Sequence, residues 1–127
     1  MQNLDTISPE TLIATAEKWA KEFKADELKT NQVRNFYSAI NSIKLKFSIA
    51  EEGKGYETVR TELTMLKPHL AYAAGRQNAV KKHFEPNMKE AINAVQSSND
   101  KEEAMNNFLL LMESVVAYFK FHGGGDK

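Results

Sequence analysis

The 127-residue sequence contains no cysteine, so it forms no disulfide and offers no thiolate to a metal ion. It also lacks the run of about 20 mostly apolar residues that a membrane span requires. The most apolar segment, residues 108–121, contains Glu113, Ser114 and Lys120. No basic start followed by an apolar run marks the N-terminus as a secretory signal. We therefore predict a cytoplasmic protein with no membrane partner.

Motifs for catalysis, metal binding and cofactor binding are missing as well. The three histidines, His69, His83 and His122, lie far apart, and no zinc-protease, paired-carboxylate or phosphate-loop spacing occurs. The glycines at 123–125 form a tail rather than a loop that leads into a helix. We predict no enzyme, no metal and no cofactor, and keep a catalytic site assembled from separate helices as the weakest alternative.

Helix signals recur along the chain, whereas hairpin dipeptides and alternating runs of β-branched residues do not occur. Ser8 before Pro9 is typical of an N-cap followed by proline at the first helical position, which predicts a helix over about 8–25. Thr30 is the predicted cap of a second helix.

The last helix has the best-defined ends. Asp100 and Glu103 form a variant of the capping box, and the glycines that follow residue 122 are typical of a helix end. These signals predict an all-α fold: a single domain over 1–127, built as a compact bundle of five to six helices, with a glycine-rich tail at 123–127.

Three features leave alternatives open. Pro68 and Pro86 each begin a new helix or kink a continuing one, because proline lacks an amide donor and clashes one turn back. The last helix is apolar almost all round, which predicts either a central core helix or one that also faces a neighbouring subunit.

Acidic residues are missing from two windows, although the net charge of the chain is zero. Residues 28–50 and 63–84 contain eight of the 17 basic residues and none of the 17 acidic ones. A neutral protein with segregated charge can present one basic face to a polyanion. The same segregation also occurs in proteins that bind no polyanion.

One face of the second helix is polar and free of acids. Asn31, Arg34, Ser38 and Asn41 fall within an arc of about 80° opposite the apolar stripe, and Lys44 flanks that arc. Asparagine, serine and arginine often contact phosphates and sugars. Every amphipathic helix has a polar face, but ordinary solvated faces mix both charges.

The segment LKPHLAYAAGR, residues 66–76, has little side-chain bulk. Ala71, Ala74 and Gly75 share a strip at helical spacing, which admits a close backbone from either the same bundle or a partner. Arg76 lies beside this strip, where its guanidinium group is suited to a phosphate.

Two further expectations concern the same segment. Tyr72 is the one ring that could stack on a base, and we expect it in the core. If the helix continues through Pro68, Lys67 and Arg76 lie about 180° apart and have different roles.

Three blocks of the sequence, TNQVRNFYSAINSI, LTMLKPHLAYAAGR and FLLLMESVVAYFKFHGGG, resemble the small subunit of the type III-A CRISPR (Csm) interference complex. The resemblance runs from about residue 30 to the C-terminus. It implies an all-helical, non-catalytic protein of antiviral defence. Several copies would stack along the guide RNA paired with its target RNA and bridge the backbone subunit and the large polymerase-like subunit.

The resemblance implies that Arg34, Lys67 and Arg76 contact the RNA backbone without reading sequence. The charge windows and the polar arc add five less specific candidates: Lys29, Asn31, Lys44, Lys81 and Lys82. His83 is interpreted as part of the basic cluster at 81–83, for which a plain solvated face is the alternative. The alternative function is a protein-only helical adaptor or oligomerisation module that touches RNA little.

Overall fold

A computed structural model describes residue 1 and residues 3–123, and within them the chain is helical, without a β-strand. The all-α prediction is thereby confirmed, with five α-helices and two short turns of other helical types. In chain order these are a 3-10 turn (Leu4–Thr6), α1 (Pro9–Ala25), α2 (Thr30–Ile49), α3 (Gly55–Arg76), a π-helical turn (Val80–Phe84), α4 (Glu85–Gln96) and α5 (Lys101–Phe121).

The first and last helices start at the predicted caps. The Ser8 hydroxyl accepts a hydrogen bond from the Thr11 amide at 3.1 Å, and the Asp100 carboxylate accepts one from the Glu103 amide at 3.1 Å. Helix α5 ends before Gly123, whose positive φ of 76° suits a glycine. The rest of the predicted glycine tail, residues 124–127, lies outside the described residues.

The predicted cap of the second helix is wrong by one residue. Helix α2 begins at Thr30, and Lys29 takes the cap position in extended backbone. The Gln32 side chain reaches back and accepts the Lys29 amide hydrogen bond at 3.1 Å, as the third residue of a capping box does. The Gln32 side chain, inside the helix, therefore satisfies the otherwise unpaired Lys29 amide.

Helix α3 continues through Pro68. Leu63 and Leu66 before the proline and Leu70 after it are all buried in the same core. Their packing holds the helix together despite the missing amide donor. Because α3 continues through Pro68, Lys67 and Arg76 lie on opposite sides of the helix, as predicted for a continuous helix.

Pro86 lies in the first turn of α4, where proline needs no amide donor. The π-helical turn ends immediately before it, with the Glu85 amide bonded to the Val80 carbonyl five residues back. The backbone is already helical from residue 78, so Pro86 lies within a continuous helical run, where π-helical turns give way to α-helical ones.

Helix α5 is the centre of the bundle and packs against the other four helices. Phe108, Leu111 and Phe119 on this helix are almost completely buried, which confirms the core interpretation for most of its length. Leu110 and Phe121 remain 48% and 78% exposed. None of the helices within the described residues is both long and apolar enough to cross a membrane.

Two polar contacts connect α5 to the chain around it. The buried Asn107 side chain donates to the Leu4 carbonyl at 2.8 Å, which holds the 3-10 turn against α5. The Glu102 carboxylate accepts hydrogen bonds from the amides of Gly55 at 3.0 Å and Tyr56 at 2.6 Å, which closes the start of α3.

Candidate nucleic-acid interface

The start of α2 and the end of α3 lie side by side. Asn31 of α2 and Arg76 of α3 line the same groove, and at the far ends of the two helices Lys46 pairs with Glu62 at 2.7 Å. The helices therefore run antiparallel. This arrangement brings Arg34, one turn after Asn31, to the same end of the bundle as Arg76, although 42 positions separate the two arginines in the sequence.

An open cleft of about 540 Å³ lies at the N-terminus of α2. Lys24, Lys29 and Arg34 line it together with Asn31, and Glu27 contributes one carboxylate. Three cations outnumber that single anion, and the helix N-terminus adds partial positive charge. The side chains that line the cleft thus carry a net positive charge, which suits an anionic ligand. The C-terminal ends of α1 and α5, at Lys24 and Gly123, add partial negative charge that opposes the N-terminus of α2. Sequence reasoning missed Lys24, because it lies in a stretch that also contains Glu22, Asp26 and Glu27.

The π-helical turn adds two more bases near this end. Lys81 and Lys82 are exposed, and their neighbours Val80 and Phe84 line the same groove as Arg76. Six of the predicted contact residues lie at this end of the bundle, and we call them together the basic end: Lys29, Asn31, Arg34, Arg76, Lys81 and Lys82. Within the described residues, none of its five basic side chains forms a salt bridge.

The structure places the other two predicted residues elsewhere. Lys44 forms an ion pair with Glu113 of α5, and the hydrogen bond that its ammonium group donates to that carboxylate raises the pKa of Lys44. The Lys67 ammonium group donates to the Gln96 side chain of α4 at 2.8 Å. Both lysines already have partners within the chain, and their contact with RNA stays a prediction.

His83 does not extend the cluster of Lys81 and Lys82 as expected. Its Nδ1 lies 2.6 Å from the Asp26 carboxylate, and its Nε2 lies 3.9 Å from that of Glu22. The side chain therefore connects the π-helical turn to α1. Only a fold that packs α1 against this turn brings these groups together, so the sequence did not reveal them.

A second cavity, a groove of about 370 Å³, lies between α2 and α3. Tyr72 lines it and is 67% exposed, so its predicted core position is wrong. The reason is geometric: because α3 continues through Pro68, Tyr72 projects about 200° away from the buried Leu70. The Arg76 guanidinium donates to the Tyr72 hydroxyl at 2.9 Å, and its carbon lies 5.5 Å from the ring centre.

Packing inside the bundle explains only part of the strip of small residues. Ala74 is buried, whereas Ala71 and Gly75 are exposed. A methyl group added at Gly75 would meet no atom within 4 Å. The chain's own fold does not require glycine there.

Metal ligation finds no support in the described part of the chain, where no three His, Asp or Glu side chains are grouped to hold an ion. The fold and the basic end define a small all-helical protein with a surface suited to a polyanion. The family model described as Csm2 Type III-A matches residues 7–125, and the chain belongs to this family. The resemblance noted in the sequence is thereby confirmed.

Two curated proteins, both described as CRISPR system Cms protein Csm2, are similar to the chain. The one from Streptococcus thermophilus is 32% identical over 99 residues, which cover 78% of this chain and 76% of that protein. The one from Enterococcus italicus is 30% identical over 99 residues, which cover 78% of this chain and 71% of that protein. No solved structure matches the chain.

Proposed function

We propose that this chain is a non-catalytic subunit of a type III-A CRISPR interference complex that acts in the cytoplasm in antiviral defence. Several copies stack along the guide RNA–target RNA duplex, and the basic end of each copy contacts the sugar-phosphate backbone. Other surfaces bridge the repeated backbone subunit and the large polymerase-like subunit. The observation that carries the RNA contact is the grouping of five basic side chains at one end of a chain with zero net charge, none of them paired with a carboxylate of residues 3–123.

The chemistry of the basic end suits the backbone of an RNA duplex. In RNA-guided complexes base pairing reads the sequence, so a protein subunit needs to recognise only the shape and charge of the duplex. The arginine fork matches phosphate geometry, and the short side chain of Asn31 beside Arg34 lets a sugar approach. The cleft at the N-terminus of α2 adds Lys24 to the basic end.

A single copy offers few phosphate contacts, which predicts weak binding by the free chain. Copies aligned along one duplex bind together, because each copy already bound raises the effective concentration of the next. We therefore expect the assembled complex to bind RNA much more tightly than the free chain does.

The test is a reconstituted complex carrying the double variant Arg34→Glu and Arg76→Glu. We expect the complex to assemble and its affinity for target RNA to fall. Arg60→Glu is the matched control, because Arg60 is exposed on the same helix as Arg76 but lies about 24 Å along and about 160° around the axis. An assembled double variant that binds RNA as tightly as wild type would overturn the proposal.

A second candidate function, a protein-only adaptor, is favoured by exposed apolar side chains on α2. Leu45 and Ile49, one turn apart, are 62% and 74% exposed, and paired exposed aliphatic side chains suit a protein contact. If Leu45→Ser with Ile49→Ser prevents assembly while the arginine variants leave RNA affinity unchanged, the adaptor is correct. Nucleotide or RNA turnover by the purified chain would contradict both functions.

A further inference from the structure

We propose that the groove between α2 and α3 binds one unstacked RNA base, which stacks on the Tyr72–Arg76 pair. This inference deepens the proposed function and rests on it for the RNA partner. It concerns a base rather than the backbone, and a different cavity from the cleft lined by Lys29 and Arg34.

Tyr72 is the first observation behind the proposal. Its ring is 67% exposed at the rim of the groove, so it contributes little to the core. Arg76 orients the ring through the hydrogen bond to its hydroxyl at 2.9 Å and through the guanidinium 5.5 Å from the ring centre. Exposed aromatic rings and arginine planes are the groups on which proteins stack unpaired RNA bases.

The lining of the groove fits the two surfaces of a base. Leu70 and Phe84, each 4% exposed, and the partly buried Phe36 give the groove an apolar floor for the base. Asn31 and Asn35 provide side-chain amides, which can both donate and accept hydrogen bonds at a base edge. The volume of about 370 Å³ is at the small end of the range for small-ligand sites and suits one base.

Charge next to the groove favours a nucleotide over an apolar peptide. Asn31 lines both the groove and the cleft with Lys24, Lys29 and Arg34, so the two cavities adjoin. A base in the groove places its phosphates toward these cations. Arg76 keeps further N–H donors for a phosphate after the one bound to Tyr72, because a guanidinium carries five.

The ligand must be a base outside the helical stack, because bases within an RNA duplex leave no face free for a protein ring. Such bases occur in single strands, at duplex ends and at mismatches. The groove therefore adds a sensor for an unpaired nucleotide beside a surface directed at phosphates.

The test compares two labelled single-stranded probes, a short oligoadenylate and an oligomer of the same length built from base-free ribose phosphates. Fluorescence anisotropy gives the affinity of the full chain for each probe at low salt. We expect wild type to prefer the base-bearing probe by roughly 5- to 150-fold, the factor that stacking of one base on an aromatic ring provides. Equal affinity for the two probes would overturn the proposal.

Variants assign the preference to the groove. Tyr72→Ala is expected to abolish it, whereas Tyr72→Phe is expected to retain most of it because the ring remains. Arg34→Gln is expected to lower the affinity for both probes by the same factor and to leave the preference for the base-bearing probe intact. This result separates phosphate binding at Arg34 from base binding in the groove. Because Tyr72 is exposed, its variants are expected to fold, and circular dichroism checks this.

NMR titration of the full chain at millimolar concentration locates the base directly and detects weak binding. We expect oligoadenylate to shift the Tyr72 ring protons through the ring current of the base, and the base-free probe to leave them unchanged. Unshifted Tyr72 signals would contradict base binding in the groove, even if signals near Arg34 respond to both probes. If Tyr72→Ala keeps the base preference but prevents assembly of the reconstituted complex, the groove is a protein contact and the proposal is wrong.

Discussion

Replacing Gly55 with alanine tests the contact that joins the start of α3 to the rest of the bundle. A Cβ atom at this position would lie 2.5 Å from the Phe47 ring and 2.9 Å from the Glu102 carboxylate. Side chains do not approach so closely, so the ring and the carboxylate must both move. Moving Glu102 weakens its hydrogen bonds to the amides of Gly55 and Tyr56.

The size of the effect follows from three contributions. Overpacking a filled site costs about 1–3 kcal/mol, and loss of a helix-cap hydrogen bond costs about 0.5–2 kcal/mol. Alanine restricts the unfolded chain, which offsets about 0.4–1 kcal/mol. We therefore expect Gly55→Ala to lower the free energy of unfolding by about 0.5–4.5 kcal/mol, measured by urea denaturation followed by circular dichroism.

Gly75→Ala is the matched control, because it makes the same substitution near the other end of the same helix. No atom lies within 4 Å of a Cβ added there, so alanine is expected to raise the free energy of unfolding by about 0.5–1 kcal/mol. Opposite signs for the two variants are the prediction. A neutral or stabilising Gly55→Ala would refute the tight contact at the start of α3.

Three substitutions in α5 test its central position. Leu111→Ala removes a wholly buried side chain and is expected to lower the free energy of unfolding by about 2–5 kcal/mol, whereas Leu110→Ala, at a half-exposed neighbour, is expected to have a much smaller effect. Asn107→Ala leaves the Leu4 carbonyl without its donor and is expected to cost about 1–3 kcal/mol. Urea denaturation measures all three variants, and equal effects for the two leucines would contradict the core assignment of Leu111.

Local signals determined much of the fold in advance. Ser8 and Asp100 fixed the starts of α1 and α5, because a capping hydrogen bond depends only on residues one turn apart. Pro68 could not be resolved in this way. Whether a helix continues through proline depends on the packing of both flanking segments, here through Leu63, Leu66 and Leu70.

The wrong prediction that Tyr72 lies in the core follows from the same uncertainty about whether the helix continues through Pro68. The buried positions Leu63, Leu66, Leu70 and Ala74 form one helical stripe, on which position 72 has no place. That stripe was visible in the sequence once continuity through Pro68 was assumed. The ring was therefore predictable as exposed, whereas its position at the rim of a groove with α2 was not.

Tertiary packing decided which predicted contact residues lie together. Within the acid-free window 28–50, Lys44 and Lys46 meet the carboxylates of Glu113 and Glu62, whereas Arg34 forms no salt bridge with any residue that the structure describes. Conversely, Arg34 and Arg76 come from separate windows and reach one end of the bundle because α2 and α3 run antiparallel. The charge pattern of the sequence identified the basic residues, and the fold determines which of them are left without a carboxylate partner among residues 3–123.

The central claim is that the basic end contacts RNA phosphates, and the salt dependence of binding tests it most directly. Anisotropy of a labelled RNA duplex is measured against the full chain over a series of salt concentrations, for wild type, Arg34→Gln and Arg60→Gln. We expect log affinity to fall linearly with log salt, with a slope reduced in magnitude by about one in Arg34→Gln and unchanged in Arg60→Gln. Affinity that does not depend on salt, or equal slopes for the two variants, would contradict the account.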